Sequence, residues 1–133
     1  MKLFVITSRI PYPLDKGDKL RIYHQLKELS KYHKIYLCSI KSPINKEQIL
    51  CKEILNEFCE EVYFVKQSLL LTIFSILKSF FNGLPFQTAI FTEFRAKKRV
   101  NDIIDKIKPD HIYCQLTRAA EYVKDRKETK TID

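Results

Sequence analysis

The chain has 133 residues, 45% hydrophobic and 30% charged, with a net charge of +8. That length supports one domain with a real core and is too short for two. The longest apolar stretch, residues 69–81, contains Thr72, Ser75, Lys78 and Ser79, and so falls short of the roughly 20 apolar residues of a membrane span. The run Leu3-Phe4-Val5-Ile6 after Met1-Lys2 ends without a small-residue cleavage site, so no signal peptide and a cytoplasmic chain are expected.

Lys2–Thr7 reads as a buried strand, short and rich in β-branched and aromatic residues. Pro11 and Pro13 make Ser8–Lys16 a loop, and Asp15-Lys16-Gly17-Asp18 turns into a helix over Asp18–Tyr32 with Asp18 as its cap. Ile22, Leu26 and Leu29 give that helix an apolar stripe. Lys34–Ile40 is the second strand, Lys46–Phe58 the second helix and Glu61–Lys66 the third strand.

Ser68–Asn82 predicts a helix whose Ser68, Thr72, Ser75, Ser79 and Asn82 form one narrow polar stripe. Two readings of it stand open. It is core, with the stripe meeting backbone groups, or its Leu70, Phe74, Leu77 and Phe81 form an exposed face for a partner or a membrane interface. Gly83 and Pro85 end it, and Phe86–Phe91 is expected to be extended. Thr92–Lys108 is a basic helix, Asp110–Cys114 the fourth strand, Thr117–Lys124 a short helix, and Thr129–Asp133 the start of a fifth strand.

This alternation implies an α/β, Rossmann-like, doubly wound parallel sheet, with strand order 3-2-1-4 and any fifth strand beside the fourth. Ligands of such sheets bind beyond the carboxyl ends of the strands. Three segments emerge there: Thr7-Ser8-Arg9, Ser39 to Ser42, and Gln115-Leu116-Thr117-Arg118. Gly17 is expected to let the backbone pass closely before a helix N-terminus that favours anions. With Gly17 and Gly83 the only glycines, neither GxGxxG nor GxxxxGK[ST] exists, which argues against nucleotide-phosphate binding by these residues.

Cys38, Cys51, Cys59 and Cys114 include no CxxC pair, and His24, His33 and His111 lie apart from them; free thiols are expected and a zinc site is not. No nucleophile–base pair is legible, and His24 reads as a surface or packing residue rather than a catalyst. The positive charge concentrates in residues 1–34 (eight basic, three acidic) and 95–108 (six basic, two acidic). It suggests an anionic partner, or simply two solvated helix faces. Nucleic acid is a weak alternative, because no aromatic-interleaved basic strand, recognition helix or arginine-rich run occurs and the two basic helices are expected on opposite faces.

The stretch from Ser8 through Pro11, Pro13, Asp15-Lys16-Gly17-Asp18-Lys19 and on to Ser30 resembles the opening of bacterial family-4 glycosyltransferases, closest to those acting on surface polysaccharides. Gly83-Leu84-Pro85-Phe86-Gln87, Cys114 to Arg118, and Thr131-Ile132-Asp133 are similar to the family as well. The resemblance spans essentially the whole chain and implies a GT-B fold. These residues would be the acceptor-binding N-terminal domain, incomplete over 1–133, of a retaining enzyme that needs no metal-holding DxD motif. The nucleotide-sugar donor would bind a further domain, which carries the paired glutamates of the donor site. No cofactor and no catalysis are therefore expected of this chain alone.

The resemblance further implies that Asp15, Lys16 and Gly17 face an interdomain cleft, that Arg9 and Arg21 meet a phosphate of donor or acceptor, and that Gln115 and Arg118 border an acceptor pocket. The implied partner is a sugar acceptor, on a polysaccharide or a lipid. Apolar surface left bare by missing chain would promote self-association or docking at an anionic membrane. The rival reading is a non-catalytic α/β module for an anionic ligand or a protein partner.

Overall fold

The structure, a computed structural model, describes residues 1–12, 14–41, 47–65, 86–115, 119–120 and 122–133. In chain order these form β1 (Lys2–Arg9), α1 (Gly17–Leu29), β2 (Lys34–Lys41), α2 (Glu47–Asn56), β3 (Glu61–Phe64), α3 (Phe86–Ile107), β4 (His111–Cys114) and β5 (Thr129–Ile132). The five strands make one sheet in the order β3-β2-β1-β4-β5, and every pairing is parallel. The expected order and the place of the fifth strand are both observed.

β1 lies at the centre because it is apolar on both faces. Phe4, Val5 and Ile6 are fully buried, as a parallel strand covered on two sides requires. Alternation divides them. Leu3 and Val5 join Ile35, Leu37, Ile22, Leu26, Cys51 and Leu55 under α1 and α2. Phe4 and Ile6 join Cys38, Val100, Ile104, Ile112, Cys114 and Val123 under α3. The two basic helices, α1 and α3, thus occupy opposite faces of the sheet, as expected.

Four expectations are corrected. Phe86–Phe91 is helical, because α3 begins at Phe86 and nothing between there and Ile107 is Gly or Pro to interrupt it. The Ser8–Lys16 loop gives its first two residues to β1, since Arg9 still pairs in register with Lys41. Asp18 does not cap α1: the cap position is Lys16, with no side-chain cap bond, and Asp18 lies in the first turn. There its carboxylate complements the helix dipole. Gly17 is not placed by a close approach, for a Cβ built there would meet nothing within 4 Å.

Other ends shift slightly: α1 stops at Leu29 and α2 at Asn56, where irregular turns take over. α3 ends on Lys108, which adopts a left-handed φ of 52° and donates its N–H to the Ile104 carbonyl at 2.8 Å. Pro109 follows and cannot continue the helix. Of the short helix expected over Thr117–Lys124, Ala119 and Ala120 are helical and 122–125 form a turn. The helix expected over Ser68–Asn82 lies outside the described residues.

Candidate functional site

The carboxyl ends of β1, β2 and β4 bring together side chains from three separate parts of the chain. The register pairs Thr7 with Ser39, two residues beyond Val5 and Leu37 on the α1/α2 face. Here the strand pattern switches from apolar to polar while the burial continues. Thr7 and Ser39 are both fully buried, and their hydroxyls share a hydrogen bond of 2.8 Å. Pairing is what makes such burial tolerable, because an unpartnered hydroxyl would carry its full desolvation cost.

Beyond them, Arg9 is exposed and lies 3.8 Å from the Asp18 carboxylate of α1. Asp15 precedes the helix and binds Lys19 at 3.1 Å, and the Lys19 hydrogen bond holds the Asp15 carboxyl below its ordinary range. Lys16 is exposed, and its carbonyl accepts the Leu20 N–H at 3.0 Å. Gly17 is exposed at the first position of α1. Asp15, Lys16 and Gly17 are all exposed at the start of α1.

Arg21, one turn into α1, reaches across to β5. Its Nη2 binds Asp133 Oδ2 at 2.6 Å, and the Tyr113 hydroxyl of β4 donates to the same oxygen at 2.9 Å. The phenol's hydrogen bond and the guanidinium charge hold the Asp133 carboxyl below its ordinary range. Burial first, then the hydrogen bond to Asp133, push Tyr113 up to about 12. The trio therefore consists of a cation, an anion and a neutral phenol at any ordinary pH. Gln115 closes β4 with its N–H on the Ile6 carbonyl at 3.0 Å. Arg118, Leu70, Phe74, Leu77 and Phe81 lie outside the described residues.

The sequence singled out Arg9, Arg21 and Gln115 and placed Thr7 and Ser39 in segments at the strand ends, but did not pair those two and gave no role to Tyr113 or Asp133. A signal for the Thr7–Ser39 pair was present: period-two extension from Val5 and Leu37 puts a hydroxyl on each strand at the same height. Tyr113 and Asp133 had none, because their meeting depends on the β4–β5 register. His24 is exposed on α1, with its ring edge-on to Tyr23 at 5.6 Å. All four cysteines are buried and none is in a disulfide. Among the described residues no group of three His, Cys, Asp or Glu side chains is placed to hold a metal.

Chemically, the exposed groups at this edge are the Arg9 and Arg21 guanidiniums and the Asp133 carboxylate, while the hydroxyls of Thr7 and Ser39 are buried behind them. The two buried hydroxyls bond each other rather than a base.

Neither a protein-family model nor a curated protein sequence matches the chain. Among solved structures, the crystal structure of TcCGT1 in complex with UDP shares the fold, with a TM-score of 0.56 and 13% sequence identity. The match covers 98% of this chain and 27% of that one, so the chain spans about a quarter of its neighbour's length. The likeness establishes the Rossmann-like α/β fold. Among the described residues no helix is long and apolar enough to cross a membrane.

Proposed function

We propose that the chain is the acceptor-side, N-terminal part of a GT-B glycosyltransferase of the family-4 type, a retaining enzyme that moves a sugar from a nucleotide donor to a surface polysaccharide or lipid-linked acceptor. The observation that carries this reading is the fold match: nearly the whole chain superposes on part of a protein crystallised with UDP. The family-like opening segment Ser8–Ser30 supports it independently.

In this reading the acceptor lies against the polar strand ends. Arg9 and residues 15–17 stand at the mouth, and the exposed N-terminus of α1 accepts an anionic group. Gln115, with Arg118 after it, borders the acceptor. Arg21 is held by Asp133, so its charge is offered in a fixed position. The nucleotide sugar is bound by a further domain, in keeping with the absence of a glycine-rich phosphate loop.

Saturation-transfer NMR against mono- and oligosaccharides, lipid-linked sugars, and uridine or guanosine diphosphate sugars tests the reading. Acceptor sugars are expected to give saturable signals and to shift the amides of Thr7–Arg9, Ser39 and Gln115. Nucleotide sugars are expected to give none with this chain. Saturable micromolar nucleotide-sugar binding, with no response to any sugar, would refute it.

A further inference from the structure

The α3 face carries a second polar feature, independent of the strand-end site. A groove of about 840 Å³ runs between α3 and the turn leading into β5. Its size falls within the range of small-ligand sites, roughly 300–1,000 Å³. Lys97, Lys98 and Asn101 of α3 form one wall; Asp125, Arg126 and Lys127 lie on the other. Both α3 and this turn pack on the sheet face opposite α1, since Val100, Ile104 and Val123 share one core and Ile22 and Leu26 another.

The walls are fastened to each other. Lys97 Nζ binds Asp125 at 2.7 Å, and Asn101 Nδ2 donates to the Tyr122 carbonyl at 3.1 Å. Arg126 reaches from the turn to Asp105 at 2.7 Å, to Asn101 Oδ1 at 3.2 Å and to Glu128 at 2.7 Å. These bonds fix the groove's shape before any ligand arrives, which lowers the ordering cost of binding.

They also decide its sign. Among the described residues, both carboxylates of the groove are paired internally, Asp125 with Lys97 and Glu128 with Arg126, and both are held below their ordinary carboxyl range by those partners. A cation entering the groove finds no free acid among these residues. Lys98 and Lys127 are exposed and, among the described residues, paired with no carboxylate. Lys130 adds charge from behind, donating to the carbonyls of Lys124 and Arg126.

We propose that this groove is a binding site for a phosphate-bearing ligand, with Lys98 and Lys127 meeting the phosphate from opposite walls. A multiply charged anion can accept charge-assisted hydrogen bonds from both ammonium groups. The proposal does not depend on the glycosyl-transfer reading, because it uses the other face of the sheet.

The test is an amide-resolved NMR titration of the full chain at low ionic strength, with inorganic pyrophosphate in one arm. The other arm uses phosphatidic acid vesicles against phosphatidylcholine vesicles. The expected result is saturable change confined to residues 97–101 and 122–128. The Lys98→Gln/Lys127→Gln double variant should weaken it at least tenfold. The variant should unfold at the wild-type temperature without ligand, since both lysines are exposed. Response to pyrophosphate assigns a soluble phosphate ligand, and response to phosphatidic acid alone assigns a lipid headgroup; both support the site. No saturable response in either arm, or a double variant that titrates like wild type, overturns it.

Discussion

Thr7 and Ser39 show how a strand end can be both buried and polar. Each hydroxyl is tolerable only because the other is there. Ser39→Ala should therefore destabilise the chain by about 1–3 kcal/mol by stranding the Thr7 hydroxyl, whereas the Thr7→Val/Ser39→Ala double variant should recover most of that loss. A double-mutant cycle by urea denaturation measures the coupling, and additive losses would disprove it. The cysteines give a second prediction at this scale. Burial pushes Cys38 and Cys59 up to about 12 and Cys114 up to about 11. Since the thiolate is the reactive form, the native chain should not react with a disulfide reagent at pH 8. All four cysteines should react once guanidinium unfolds it. Fast labelling of any of them in the native chain would show that its site opens readily.

Elements differ in how openly the sequence announces them. The strands were legible because Leu3–Ile6 and Ile35–Ile40 are apolar on both faces, and only parallel strands packed on two sides ask for that. The strand order followed from their alternation with helices. The start of α3 was missed because Pro85 precedes it and an apolar run after proline also suits an extended segment; helical phase decided otherwise. The Arg21–Asp133–Tyr113 trio was illegible, since 112 residues separate Arg21 from Asp133 and only register joins them. Helix ends supply further predictions. Gly17 is in α1 with open space about its missing Cβ, so Gly17→Ala should raise stability by about 0.5–1 kcal/mol. If that variant is more stable yet loses acceptor sugar, the glycine is there for the ligand. At the other end of α3, Lys108 sits at φ 52°, where L-residues are strained and glycine is not. Lys108→Gly should therefore be neutral or stabilising by up to about 1 kcal/mol, read from the denaturation midpoint.

For the molecule as a whole, the ion pairs set the acid limb of its stability. The carboxyls of Asp15, Glu28, Asp125, Glu128 and Asp133 are all held below their ordinary values by basic or hydrogen-bonding partners. A depressed folded-state pKa contributes stability that is present above the unfolded value, about 4, and is lost as pH falls through the folded value. Thermal midpoints should thus fall steadily below about pH 4, and 1 M salt should shrink the effect because, apart from the part-buried Arg126–Glu128 pair, the carboxylates of these pairs are exposed. A flat profile between pH 2 and 5 would show the pairs to be energetically idle.

The central position of β1 has a consequence in time as well as in space. Of the five described strands it is made first and its β4 neighbour fourth: the Lys2 N–H finds its Asp110 carboxylate 108 residues later. At about 5–20 residues per second, translation leaves Leu3-Phe4-Val5-Ile6 waiting roughly 5–20 s for that partner. During this interval this apolar strand has β2 on one side and an unpaired edge on the other, which favours aggregation. A chain truncated after Lys108 should accordingly aggregate or stay partly unfolded by circular dichroism, while the full chain unfolds in a single cooperative step.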